Sequence, residues 1–333
     1  MTPANSRSLM AREISAQPQV LEQAIEPLVA TAASLAASSG SIFWIFGCGD
    51  GLYAGETMTR VGAECGVHVR PVSAASMLWE VDPSSDDLCA ALSISGGTAR
   101  TVEAAERARA LGARVVAVTI NPDSALARAA NATVALPYRP ISRATPHSLD
   151  HTMTLLALGT LLGLQADTLR TAVTAAATAD SPMREAAERI ALCLSRTARF
   201  FFLGCGSALG TAEYAAAKLH EAGGLPAFAL ESDNVAHGAH FMMRPGDHAT
   251  LLGDGGPGDR RTAALAAGLR RLGLSVSSAG FGQPALPAAF EAALWAQRLT
   301  LAVAEVFDLD VTRPGGSGPA AAVQSEWFAW RQG

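Results

Sequence analysis

Six consecutive residues, Ser93-Ile94-Ser95-Gly96-Gly97-Thr98, place three hydroxyls and two glycines between an apolar run and an Ala/Glu/Arg-rich helical pattern. Glycines let backbone N–H groups approach a ligand, hydroxyls add donors, and a helix N-terminus favours an anion, so the stretch suits a phosphate. It equally suits an ordinary Ser/Thr cap on a glycine turn. A second cluster holds Lys218, His220 and Glu221, followed by His237-Gly238 and His240. Lys218 and Glu221, three residues apart, share a helix face. A carboxylate beside an ammonium there could move a proton on a carbonyl compound. A surface ion pair would have the same spacing, and a histidine beside a glycine also suits a plain loop. Composition sets Lys218 apart: it is the single lysine in a chain with 24 arginines. Arginine does not substitute for lysine where a compact or deprotonatable amine is needed.

These residues must be positioned by alternating strands and helices. Apolar runs at Ser41–Phe46, Leu88–Ser93, Val115–Ile120, Thr133–Leu136, Phe200–Leu203 and Thr250–Leu252 are separated by helical patterns such as Thr98–Leu111 and Ala208–Glu221. The alternation predicts an α/β fold with mostly parallel sheets, and the unbroken apolar strands predict sheets covered on both faces. Shifting the chain by 157 residues lays Gly47-Cys48-Gly49 on Gly204-Cys205-Gly206, Glu56 on Glu213, Glu64 on Glu221 and Gly66 on Gly223. Two copies of one unit are therefore expected, at about 27–165 and 190–310, with an N-terminal helical segment over 1–26. A helical linker with a Ser181-Pro182 stop is expected over 166–189, and a tail over 311–333 whose Trp327, Phe328 and Trp330 suggest docking on protein surface. The copies differ at their loops. The second reads Gly253-Asp254-Gly255-Gly256-Pro257-Gly258, with no hydroxyl, an added negative charge and a proline lacking an N–H, and should repel phosphate.

Bulk properties exclude several classes. A net charge of −5 with scattered arginines supplies no basic face for nucleic acid. The opening MTPANSRSLMAREIS does not read as a secretory signal, and the longest apolar stretch, Met153–Leu164, falls short of the roughly 20 residues that cross a membrane. Five cysteines without ligand spacing fit a reducing compartment, so a cytoplasmic location and no metal are expected. The Gly47-Cys48-Gly49-Asp50-Gly51 turn does not keep the dinucleotide spacing, and no acidic residue ends a second strand about 20 positions on, which disfavours a nicotinamide cofactor.

Several segments together resemble the sugar isomerase (SIS) family, most closely the isomerase domain of glucosamine-6-phosphate synthase. They are Met10 to Pro18 (MAREISAQP), the Ser93–Thr98 loop, Ala144-Thr145-Pro146-His147, Lys218-Leu219-His220-Glu221, His237-Gly238 sixteen residues after Glu221, and Asp310 to Pro314 (DVTRP). The likeness spans nearly the whole chain. It implies two tandem SIS units, each a five-stranded parallel sheet flanked by helices, in a homodimer binding a sugar 6-phosphate between the units. It further implies that Ser93, Ser95, Gly96 and Thr98 hold the phosphate, and that Cys48, Gly49, Asp50, Gly51, Ala144 and Thr145 line the sugar. Glu221 would shuttle a proton between C1 and C2, with Lys218 nearby. His237, reaching in from the partner subunit, would assist ring opening without any cofactor.

The chain also departs from that pattern. Gly315 and Pro319 stand where the synthase has an arginine and an imine-forming lysine, Asp50 and Gly51 replace hydroxyls, and Ile94 replaces a glutamine. The glutamine-hydrolysing domain is absent, so synthase activity is not expected. The resemblance implies an isomerase or deaminase converting glucosamine 6-phosphate to fructose 6-phosphate and ammonia. Simple aldose–ketose isomerisation and fructosamine 6-phosphate cleavage are its close variants, and a non-catalytic phosphosugar sensor is the alternative of another class.

Overall fold

The computed structural model describes residues 2–38, 40–312 and 319–330. Arg313, Pro314 and Gly315, on which part of the tail comparison rests, lie outside them. Nine strands and twelve helices are found among the described residues. The chain begins with α1 (Pro3–Ala32) and β1 (Ile42–Gly47), then α2 (Asp50–Thr57) and α3 (Thr59–Glu64). It continues through β2 (His68–Ser73), α4 (Ala74–Trp79), β3 (Leu88–Leu92), α5 (Ala99–Ala110), β4 (Arg114–Thr119), α6 (Ala125–Ala129) and β5 (Ala132–Ala135). After α7 (Leu149–Leu161) and α8 (Ala166–Leu192) come β6 (Phe200–Gly204), α9 (Ala208–Gly223), β7 (Ala227–Glu231) and β8 (His248–Leu252). The last elements are α10 (Asp259–Arg271), β9 (Ser275–Ala279), α11 (Ala285–Val306) and α12 (Pro319–Ala329).

Two compact units result. One holds Gln19–Arg139, Asp150–Arg170 and Gly315–Gly333, and the other Met1–Pro18, Pro140–Leu149 and Thr171–Pro314. The first is built on a parallel sheet in the order β2-β1-β3-β4-β5, the second on a parallel sheet in the order β7-β6-β8-β9. Both are α/β, and the connectivity β2-β1-β3-β4 recurs as β7-β6-β8-β9. The central strands are buried from end to end, as in Leu88–Leu92 and Phe200–Gly204, which is why they read as unbroken apolar runs. In the first unit Trp44, Phe46, Cys89 and Val115 pack against Val102, Ala105 and Leu126. In the second, Phe201, Leu203, Ala249 and Leu251 pack against Val235, Met243 and Leu269.

Three expectations are revised. The second sheet has four strands, not five. After β9 the chain passes through Gly280 and Gly282, both with positive φ, directly into α11, whose residues Ala285–Ala304 are almost all buried. No room is left for the short helix and edge strand that α6 and β5 supply in the first unit. Helix α1 runs without a break past Pro27. Helix α8 continues through Pro182, where a stop is expected from the sequence. Ser181, Pro182 and Thr178 are all exposed, so the Thr178 carbonyl that proline cannot bond lies on an open face. Among the described residues no helix is long and apolar enough to cross a membrane.

Candidate functional site

In the sheet of the first unit the chain leaves β1 for β2 on one side and returns as β3 on the other. The carboxyl ends of β1 and β3 therefore flank the point at which open α/β sheets hold ligands. Two sequence-predicted loops meet there. After β1, Gly47 packs so closely that a Cβ would lie 3.0 Å from the Leu92 carbonyl oxygen, and Gly49 turns the chain at φ +54° into α2. Cys48 Sγ lies 3.8 Å from Thr101 Oγ1 in α5. Desolvation pushes the Cys48 thiol up, only partly offset by the Thr101 hydrogen bond and the nearby Arg100, so the group remains a neutral thiol. Asp50 and Gly51 open α2, the acidic residue on its first turn.

After β3, the Ser93–Thr98 loop is held from several directions. Thr119 Oγ1 donates to the Ile94 carbonyl (2.9 Å), and Leu126 N–H donates to that of Gly96 (3.0 Å). Ser93 and Thr98 hydroxyls lie 2.9 Å apart, and Gly97 N–H donates to Ser95 Oγ (3.2 Å). Gly96 sits at φ +67°, and a Cβ there would fall 2.1 Å from Ser124 Oγ, so this position requires glycine. Thr98 occupies the N-cap of α5 without using its side chain as a cap, because that hydroxyl faces Ser93. Exposed Ser95, the Ser93–Thr98 hydroxyl pair and the first turn of α5 thus form one donor-rich turn.

The corresponding turn of the second unit already contains an anion. Asp254 accepts from Ser207 N–H (3.2 Å) and Oγ (2.7 Å) through one oxygen and from Gly256 N–H (2.8 Å) through the other. The carboxylate thus takes up one N–H of its own β8–α10 turn and both Ser207 donors just before α9.

The same unit carries Lys218, Glu221 and His237. Lys218 is fully buried on α9, its Nζ 5.0 Å from the Tyr214 ring centre and 2.7 Å from Glu221 Oε2, whose side chain is 38% exposed. A buried ammonium bonded to a half-exposed carboxylate fixes that carboxylate in one orientation. His237 ends a 3-10 turn, Asp233–His237, and is exposed. The sequence reading missed Glu231 at the carboxyl end of β7. It accepts from Asp233 N–H (2.8 Å), Asn234 N–H (3.1 Å) and Cys205 Sγ (3.2 Å), and so anchors the turn that presents His237. Ala144 is exposed and Thr145 buried. The Thr145 hydroxyl has no hydrogen-bond partner among the described residues. The phosphate-type turn therefore belongs to the first unit, and Thr145, Lys218, Glu221 and His237 to the second. Among the described residues no cluster of three or more metal-binding side chains occurs.

Comparison with known proteins agrees with this architecture. Residues 37–163 match the SIS domain family. Over 77 residues, 23% of the chain, the sequence is 47% identical to an N-acetylmuramic acid 6-phosphate etherase from Symbiobacterium thermophilum; the match spans about a quarter of that relative's length. Among solved structures, glucosamine-6-phosphate deaminase from Thermotoga maritima has the same fold, with a TM-score of 0.76 at 17% identity, covering 92% of this chain and 97% of that one. The C-terminal domain of glucosamine-fructose-6-phosphate aminotransferase from Francisella tularensis has a TM-score of 0.73 at 18% identity, covering 91% and 97%. Tagatose-6-phosphate ketose/aldose isomerase from Escherichia coli has a TM-score of 0.75 at 16% identity, covering 89% and 92%.

Proposed function

With a SIS domain across residues 37–163, we propose that this protein is a phosphosugar isomerase or deaminase acting on an aminosugar 6-phosphate, glucosamine 6-phosphate first among them. The observation that carries the reading is the Ser93–Thr98 turn, whose hydroxyls and α5 N-terminus gather at the β1/β3 switch point. The 77-residue stretch shared with an enzyme named for an aminosugar 6-phosphate favours the same ligand class. In this reading Ser93, Ser95, Thr98 and the Gly96 backbone hold the phosphate. The Gly47–Gly51 turn and the Ala144–Thr145 stretch line the sugar. The working unit is a homodimer in which His237 serves the partner's site.

The chemistry follows from a carboxylate held beside two adjacent carbons. Glu221 takes the C2 proton of the open-chain aminoaldose as the C1 carbonyl oxygen gains a proton from solvent, giving an enolamine. It returns the proton to C1 as the nitrogen gives one back to solvent. The resulting C2 imine takes up water and releases ammonia, leaving the 2-ketose phosphate. Lys218, buried and bonded to Glu221 Oε2 at 2.7 Å, holds that carboxylate in one orientation. Positioned proton transfer of this kind contributes about 10²–10⁴-fold. Incubation with glucosamine 6-phosphate should release fructose 6-phosphate and ammonia, and Glu221→Gln should lower kcat by about 10³-fold. Pro319 and Gly315, standing where the synthase has tail cations, favour a second reading, a sensor that binds without turnover. No turnover on any hexose or hexosamine phosphate, with the sugar phosphate still raising the melting temperature, would establish that second reading.

A further inference from the structure

The stretch Ser142–Leu149 is tied to α1 by one buried carboxylate that plays no part in the chemistry above. Glu13 is 1% exposed. Its Oε1 accepts from Ser148 Oγ (2.8 Å) and Leu149 N–H (3.3 Å), and its Oε2 from Ser142 N–H (3.3 Å). One turn along α1, Gln17 donates to Gln297 Oε1 (2.5 Å). Gln297 Nε2 in turn donates to the Ser148 carbonyl (3.1 Å) and to Tyr214 Oη (3.0 Å). Tyr214 Oη donates to the His147 carbonyl (3.0 Å), and the same tyrosine ring lies under Lys218. Both ends of the stretch are thereby fixed within one unit. Its middle is shaped by Ser142 Oγ, which accepts from Ala144 N–H (3.1 Å) and Thr145 N–H (3.2 Å).

Within this heavily bonded loop, Thr145 is the exception. It is 4% exposed, yet its hydroxyl has no partner among the described residues. An unpaired buried hydroxyl is costly, and native structures keep few of them, commonly where the group has a role beyond the fold. We propose that Glu13 is a positioning residue for substrate recognition. It holds Ser142–Leu149 in the one conformation that leaves the Thr145 hydroxyl to bond a sugar oxygen, while touching no substrate itself. This rests on the phosphosugar reading above. A carboxylate is required because all three contacts are donors; the amide of glutamine would set its NH2 against one of them and release that part of the loop.

The test is a double-mutant cycle on the dissociation constant for glucosamine 6-phosphate, using Glu13→Gln, Thr145→Ala and the double variant. Each single change should weaken binding about tenfold, the worth of one hydrogen bond to a buried group. The double variant should be no weaker than the worse single, because both changes remove the same contact. Unchanged affinity in Glu13→Gln, or losses that multiply to about a hundredfold, would overturn the assignment. Should Glu13→Gln not fold, Ser142→Ala takes its place in the cycle with the same expected coupling. A wild-type protein that binds no hexosamine 6-phosphate would instead remove the functional reading itself, a result visible before any variant is made.

Discussion

The two units share a frame and differ in what the frame holds. In the first, Asp87 precedes β3 and accepts from Ile42 N–H at the start of β1, from Trp44 Nε1 and from Ser84 N–H three residues back. In the second, Asp247 precedes β8 and accepts from Arg199 N–H just before β6 and from Arg244 N–H, again three residues back. Even the next strand is pinned alike, Arg114 N–H to the Asp87 carbonyl (3.2 Å) and Ser275 N–H to that of Asp247 (3.1 Å). At the opposite end of the strands the likeness stops. One turn presents hydroxyls and a helix N-terminus; the other supplies its own carboxylate, Asp254, to the same kind of donors. The amino ends of the strands carry what the fold needs, and the carboxyl ends carry what can diverge.

Breaking the shared frame should have the largest effect. Asp247→Ala strands the Arg199 guanidinium, which is bonded to it at 2.5 Å, and should cost about 3–5 kcal/mol in denaturant unfolding. Asp87→Ala leaves neutral donors unpaired and should cost less, about 2 kcal/mol. Equal losses would mean that the guanidinium of the second unit adds nothing to the frame.

The next effect separates the units by pH. Where β3 begins with Leu88, β8 begins with His248, fully buried among Ser275, Thr250 and Ser277. Burial pushes its imidazole down to about 4 from 6.5. The unfolded chain then binds a proton that the folded chain refuses between those values, so stability is complete above pH 6.5 and falls as the pH drops towards 4. The loss amounts to about 3 kcal/mol. Burial would raise both aspartates, but the hydrogen bonds from Ser84, Ile42 and Trp44 to Asp87, and from Arg199 and Arg244 to Asp247, outweigh it and hold both carboxyls below their ordinary value. Their contribution is therefore lost only at still lower pH. In urea titrations at successive pH values, His248→Leu should flatten the slope between pH 6.5 and 4 and leave the lower step. A slope unchanged by the substitution would assign the acid sensitivity elsewhere.

Gly96→Ala tests the turn itself. Its strained φ and the collision with Ser124 Oγ should cost about 2 kcal/mol and abolish the stabilisation by added phosphate. Gly97→Ala, whose Cβ would meet only Ser95 Oγ at 3.7 Å, should change stability by under about 0.5 kcal/mol. Gly255→Ala in the second unit, with its Cβ 2.2 Å from the Gln283 carbonyl oxygen, should destabilise without any effect on phosphate response.

What could be read from the chain follows the same division. The central strands are legible because both faces are buried, so they appear as unbroken apolar runs. The strands missed, β2, β7 and β9, all lie at sheet edges and are half-exposed, with Arg70 and Pro71 in one and three serines in another. The Ser93–Thr98 turn is legible because its hydroxyls and glycines are consecutive. Asp87, Asp247 and Glu231 are not, because their partners come from strands and turns up to 48 residues away. Glu13 stands in a motif that carries the family resemblance, but its contacts lie 129 to 136 residues on, and only the fold reveals what it holds.

A substitution of small expected cost bears most directly on why the units differ. Asp254→Ser removes the internal carboxylate and frees the Ser207 and Gly256 donors. That should cost only about 1 kcal/mol, because the freed N–H groups border an open turn and can be solvated. If charge alone keeps anions out of the second turn, millimolar phosphate should now raise the melting temperature of this variant more than that of the parent. With Gly96→Ala in the same chain, any phosphate response must come from the second unit. A melting temperature indifferent to phosphate in that double variant would instead trace the exclusion to the backbone, where Pro257 lacks the N–H that the Ser93–Thr98 turn retains. The units would then have diverged in loop shape before they diverged in charge.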